Sequence, residues 1–293
     1  MHKFASKYFA ISLALLSLPA VSYSQNSYQV ELTANLSKDK TNTNEVEATF
    51  LTANVFLYEV ETGSHPYAGA AFLEQASSLN VGYSDYDFTS TAFDFSGDEI
   101  IFGINYIAPN SLLIFQGGYF TNDGEFKNGL SGNSESDGTY IGIGKYISKT
   151  TAIIATYSQL DREINLVPLI ISTMKITKIG FGYKIVEKLK NGSSFNFSAS
   201  LRSSDVDIDT TSETNYIIAF SGDYYHNQSI SAGASIKINS GDNKGDEGKT
   251  FGLNSNIFLA PNFAVFVEFN QFNADNISGD DSDKVVLGGL ARF

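Results

Sequence analysis

Side chains able to make or break covalent bonds are scarce in this sequence. There is no Cys, which removes thiolate nucleophiles, thiolate metal sites and disulfides together. Beyond residue 24 the only histidines are His65 and His226. Both sit in turn-like stretches on the rim opposite the one where a lipid or peptide substrate would arrive, away from any Ser or Asp partner there. Gly142-Ile143-Gly144 and Gly180-Phe181-Gly182 fall inside alternating segments with no helix after them, so they are not phosphate-cradling loops. Asp205-Val206-Asp207-Ile208-Asp209 begins like a calcium loop, but Thr210 stands at the sixth position and Tyr216 at the twelfth, where Gly and Glu are needed. No enzyme, metal site or cofactor is expected. What remains is charge placed on the polar side of alternating stretches: Glu31, Glu45, Glu47 and Glu268 in one group, Lys178, Lys184 and Arg202 in another. Such charges form no bonds, but lining a water path they bias which ions and dipoles pass.

The elements that carry these charges alternate with period two. Residues 28–37 set Tyr28, Val30, Leu32, Ala34 and Leu36 against Gln29, Glu31, Thr33, Asn35 and Ser37, a strand with one apolar and one polar face. Fourteen such segments follow one another: 28–37, 45–58, 77–88, 98–107, 111–121, 138–147 and 151–161, then 172–185, 193–205, 213–225, 228–239, 249–260, 262–272 and 282–293. The second blurs near Asn54, where a bulge is expected to reset the face. Tight connections at residues 108–110, 148–150, 226–227 and 260–262 alternate with longer polar ones at 122–137, 206–212, 240–248 and 273–281. Short turns on one rim and long loops on the other predict an all-β, transmembrane antiparallel β-barrel of about 14 strands, with 12 or 16 as alternatives. That many strands enclose more space than side chains fill, a limit reached near ~8 strands, so the lumen is expected to hold water unless a loop plugs it. The Gly- and Asn-rich residues 122–137 suit a surface loop, and their composition also permits folding into the lumen. Tyr106, Tyr146 and Phe258 precede three of the tight turns at a similar offset and are expected to form an aromatic girdle at one interface.

The two ends of the chain agree with a barrel. Residues 1–24 carry Lys3 and Lys7, an apolar run from Ala10 to Leu18, and Ser22 and Ser24, a secretory signal peptide cleaved before Gln25 and too short to span a bilayer. Without it, 17 basic residues face 32 acidic ones, about −15, a balance that speaks against nucleic acid. The last residues, SDKVVLGGLARF, put Val285, Leu287, Gly289, Ala291 and Phe293 on one face and Lys284 and Arg292 on the other. This ending resembles the C-terminal signal of outer-membrane barrels, in which the terminal aromatic, here Phe293, engages the barrel-assembly machinery.

A second resemblance lies at residues 59–83. Pro66, the Ala70-Ala71-Phe72-Leu73 stretch and the following Ser77-Ser78 are similar to a segment of the general bacterial porins of Gram-negative outer membranes. The resemblance implies an outer-membrane location among lipid and lipopolysaccharide, and passive diffusion of small hydrophilic solutes and ions through residues 25–293. It leaves open whether the barrels form a homo-oligomer. The alternative is a non-conducting outer-membrane barrel, structural or surface-binding through acidic loops around Asp242, Asp246, Glu247, Asp280, Asp281 and Asp283.

Overall fold

A computed structural model describes residues 27–293 apart from 64, 130, 168–169, 210, 243–246 and 276–280, and of residues 170 and 171 the backbone alone. The signal expected over residues 1–24 lies outside the described residues. The strands are β1 (Ser27–Lys40), β2 (Asn44–Glu61), β3 (Ser78–Ser90), β4 (Asp94–Ile107), β5 (Leu113–Lys127), β6 (Ser131–Ser148) and β7 (Thr151–Val167). They continue with β8 (Ile170–Lys188), β9 (Ser194–Ile208), β10 (Thr211–Tyr225), β11 (Ile230–Gly241), β12 (Gly248–Ala260), β13 (Phe263–Ala274) and β14 (Ser282–Arg292). Between β2 and β3 lie a 3-10 turn, Tyr67–Gly69, and a one-turn helix α1, Ala70–Leu73.

Each strand pairs antiparallel with its chain neighbours, and β14 closes on β1, so the fourteen strands form one closed barrel. Closure leaves no sheet edge, the condition for strands that cross hydrocarbon, where an unpaired N–H or C=O finds no water. At the seam, Phe293 N donates to Val30 O at 2.9 Å, and Phe293 O accepts from Gln29 N at 2.7 Å and Val30 N at 2.9 Å.

Alternation along each strand separates two surfaces. Ile143, Phe181, Leu253, Val267, Phe269 and Leu287 are among the large apolar side chains exposed on the outside, a belt that hydrocarbon can cover. Inside, several aromatic rings lie over cross-strand glycines. A Cβ built on Gly288 would strike the Phe266 ring, and one on Gly138 the Phe120 ring.

Three expectations about the elements are corrected. Residues 122–127 and 131–137 are not loop: β5 runs to Lys127, β6 starts at Ser131, and the two pair through Asn122↔Ser136 and Glu125↔Asn133. These paired residues therefore do not fold into the lumen. Strands of 18 and 19 residues, β6 and β8, exceed the ~9–11 needed to cross a bilayer and continue past it as paired hairpins, where both faces meet water and the alternation fades. The irregularity in β2 falls after Asn54, where Tyr28↔Val60 gives way to Val30↔Val55. The aromatic girdle does not form as expected. Tyr106 is outward and 41% exposed, whereas Tyr146 and Phe258 are 4% and 7% exposed and point inward. The motif recurs at one offset from its turns, but the ladder shifts at Tyr146/Ser148 and Phe258/Ala260, so the same offset reaches opposite faces.

Candidate functional site

The interior divides into two regions. Toward the hairpin rim lies a cavity of about 830 Å³ bordered by Lys178, Arg202, Lys237, Lys284, Asp39 and Glu268. Its remaining wall is rich in small polar side chains, among them Ser198, Ser200, Ser204, Ser235, Asn239 and Asn270. Such a surface keeps water, since hydroxyls and amides replace bulk hydrogen bonds.

The other region is the turn rim, and the described residues of the segment 62–77 lie across it. Pro66 opens the segment, and α1 is terminated by a left-handed residue, Gln75, at φ 53°. Ala76 N bonds to Ala71 O at 3.0 Å and Gln75 N to Phe72 O at 3.1 Å, a two-bond stop that turns the chain back into β3. His65 Nε2 and Glu74 Oε1, 2.8 Å apart, clip the segment's two arms together. Ala70, with no exposed surface, joins Tyr28, Phe56 and Val60, on β1 and β2. Phe72 reaches β6, its ring 5.2 Å from Tyr146, whose hydroxyl donates to Phe72 O at 3.0 Å. Lys184 Nζ of β8 lies 4.7 Å from the centre of the same ring. Tyr67 packs edge-on to Phe258 of β12 at 5.3 Å, and its N–H donates to Gln228 O at 3.0 Å, before β11. Those anchors stand at β1, β2, β6, β8, β11 and β12 around a closed ring, so the segment spans the mouth and does not hug one wall. Burial of its apolar side chains holds it there.

The charges singled out from sequence are distributed as follows. Lys178 and Arg202 face inward on β8 and β9 and border the same cavity with Glu268. Lys184 also faces inward but sits lower, against Phe72. Glu31 faces inward and is ion-paired: Arg292 Nε and Nη2 donate to its Oε2 at 2.9 and 2.8 Å. The guanidinium lies 4.2 Å from the Tyr28 ring centre and 5.0 Å from that of Phe258. Glu45 and Glu47 are on the outside. The β2 ladder with β3 is unbroken from Asn44 to Phe56, so both share the face of the exposed Leu51 and Val55, and Lys38 Nζ bonds them at 2.6 and 3.0 Å. Reading polar residues as inward fails there because this end of β2 lies beyond the apolar belt. No acidic wall made of Glu31, Glu45, Glu47 and Glu268 therefore faces the basic residues.

Sequence reasoning missed Arg162 and Glu99. Lys178 feels the charges of Arg202, Glu99 and Arg162, and β7, β8 and β9 carry Arg162, Lys178 and Arg202 on one wall at staggered levels, Arg162 opposite Met174 and Arg202 opposite Gly180. Ending the seventh segment at Asp161 left Arg162 in a supposed loop. Glu99 was findable, because it alternates against the apolar Ile100, Phe102 and Ile104. Of the calcium-like run, Asp209 accepts hydrogen bonds from Thr173 N and Ser172 Oγ; Thr210, Asp246 and Asp280 lie outside the described residues.

No protein-family model and no curated protein sequence matches the chain. Solved structures do. The outer membrane protein Omp33 of Acinetobacter baumannii aligns at TM-score 0.55 and 17% identity, over 92% of this chain and 99% of that one. The monoaromatic hydrocarbon channel CymD aligns at 0.56 and 10% identity, over 91% and 89%. A mutant of the monoaromatic hydrocarbon channel TodX aligns at 0.51 and 10%, over 96% and 94%. At these identities the likeness is one of fold: the chain has the architecture of outer-membrane β-barrels.

Proposed function

We propose that this chain is an outer-membrane channel through which small hydrophilic solutes and ions diffuse passively, and that residues 62–77 close its periplasmic mouth at rest. The carrying observation is the cavity of about 830 Å³ inside a closed barrel, bordered by Ser, Asn, Lys, Arg and Glu side chains. A barrel serving only as a scaffold has no need of so many charges along its interior, whereas an aqueous path is lined by them. Support comes also from the barrel fold shared with two hydrocarbon channels, and from the resemblance of residues 59–83 to general porins. In this reading the hairpin rim faces the cell exterior and the turn rim the periplasm. Size exclusion sets the main filter, and Arg162, Lys178 and Arg202, together with Glu99 and Glu268, add a weak charge bias.

The chain has no Cys, so an introduced pair is unambiguous. A Cβ at Gly69 would lie 3.7 Å from Val186 Cγ1, close enough for Gly69→Cys with Val186→Cys to cross-link the segment to β8. In planar bilayers the oxidised variant is expected to stay shut, the reduced variant to show discrete steps, and a chain with residues 62–77 replaced by a short Gly-Ser linker to conduct continuously. Silence from the linker variant, with folding verified by gel mobility, overturns the channel in favour of a structural or surface-binding barrel. A partner such as lipopolysaccharide would then be sought at the acidic hairpins.

A further inference from the structure

The interior above residues 62–77 is not lined as a simple water path would be. A second cavity, about 490 Å³, lies there, within the roughly 300–1,000 Å³ of small-molecule pockets. One side is apolar: Phe56, Phe72, Ile107, Ile114, Tyr146 and Ile154 all border it. Several of these also form a packed cluster, with Ile107, Ile114, Tyr146 and Ala152 buried and Phe72 and Ile154 against them. The other side carries amides and hydroxyls, including Asn54, Asn105, Gln116 and Ser200. Gln116 Nε2 donates to Asn105 Oδ1 at 3.2 Å, and Asn105 Nδ2 to Ala76 O at 3.3 Å, so these amides are held in place by the segment below.

Two charged residues border this cavity, Glu31 and Lys184. Glu31 is neutralised by Arg292 at 2.8 Å. Lys184 has the Phe72 ring as its neighbour at 4.7 Å, and among the described residues it makes no ion pair within 4.0 Å. The acid whose field it feels, Asp223, takes a hydrogen bond from Asn196 at 2.8 Å. The cavity thus joins an aromatic and aliphatic wall to one ammonium with three donors and no ion-pair partner among the described residues.

Those features favour different parts of one ligand. A fully hydrophilic solute gains nothing from the apolar wall, which sheds water around it. A neutral hydrocarbon leaves the ammonium without an anion in a partly desolvated site. We infer that the cavity above residues 62–77 is a binding site for small monocarboxylates with a compact aromatic or branched apolar body, the ring against Phe72, Tyr146 and Ile154 and the carboxylate at Lys184. The inference rests on the channel reading for its purpose, but binding itself can be measured without conduction.

The test uses the full mature chain, refolded in detergent, and fluorine NMR of three probes: 4-fluorobenzoate, neutral 4-fluorobenzyl alcohol, and fluoroacetate, an anion without a ring. Saturable binding of 4-fluorobenzoate at least tenfold tighter than either partial probe is expected. Lys184→Met, which keeps the side-chain length, should weaken 4-fluorobenzoate tenfold or more and leave the alcohol unchanged. Equal affinity for fluoroacetate and 4-fluorobenzoate, absence of saturation, or indifference of 4-fluorobenzoate to Lys184→Met overturns the site. The probe comparison needs only the unmodified chain, so it decides even if the variant fails to refold. Binding in a protein that never conducts leaves the site standing and removes the channel; conduction without binding does the reverse.

Discussion

Arg292 shows how much one side chain at the seam carries. Its guanidinium, with 3% of the side chain exposed, bonds Glu31, which is 16% exposed, and lies between the Tyr28 and Phe258 rings. Removing one partner of a buried pair strands the other charge, at a cost of about 3–5 kcal/mol. Arg292→Met is therefore expected to lower the urea midpoint of unfolding by an amount corresponding to roughly that loss. The double variant Arg292→Met with Glu31→Gln should recover most of it; a double variant no more stable than the single would mean that the charge pair is not the source. Alternation placed both residues inside, yet their contact was not legible, because they are 261 positions apart and meet only when the ring closes. The basic cluster makes a separate prediction. Neutralising Lys178 and Arg202 together, as Met and Gln, should move the reversal potential under a salt gradient toward cations. An unchanged potential would take them off the conducting path.

Between residues and barrel stand the elements, and here the packing of rings over glycines is testable. Phe266 occupies the space that any Cβ on Gly288 would need, and both face the lumen next to the closing seam, since Phe266 and Gly288 are directly paired. Gly288→Val should force the ring out and cost about 1–3 kcal/mol, as overpacked sites do, seen as a lower temperature at which the folded band is lost on gels. Gly289→Ala, on the outer face, serves as the control and should behave as the unmodified chain. The segment 62–77 lies within residues 59–83, which the sequence singles out by their resemblance to general porins, but its destination was not legible there. Nothing local in Tyr67 or Phe72 says that the first meets Phe258 and the second Tyr146 and Lys184, which come from distant strands. The hairpins beyond the belt were misjudged for a related reason. Past the hydrocarbon both faces of a strand can be polar, so paired and unpaired backbone look alike in composition.

For the whole molecule the two surfaces obey opposite rules. Leu253, 63% exposed on the outside of β12, should not tolerate charge: Leu253→Arg is expected to cost up to about 2–4 kcal/mol, with the larger value near the bilayer midplane, measured by urea unfolding in lipid vesicles. Ser235→Arg, one strand away at the border of the interior cavity, should leave that stability nearly unchanged and alter conductance instead. Equal destabilisation by both would mean that the lumen is dry.

The sequence by itself determined the barrel: period-two alternation, turns sorted to one rim and an even number of strands leave few other ways to satisfy every backbone group, and those are local properties. Tertiary structure decided what the interior does. Which face Tyr146 and Phe258 take depended on single-residue ladder shifts, Glu31 met Arg292 only on closure of the ring, and the mouth is filled by a segment whose anchors lie on strands far apart in the chain. One displaced residue reverses a face, and alternation alone does not reveal where that displacement falls.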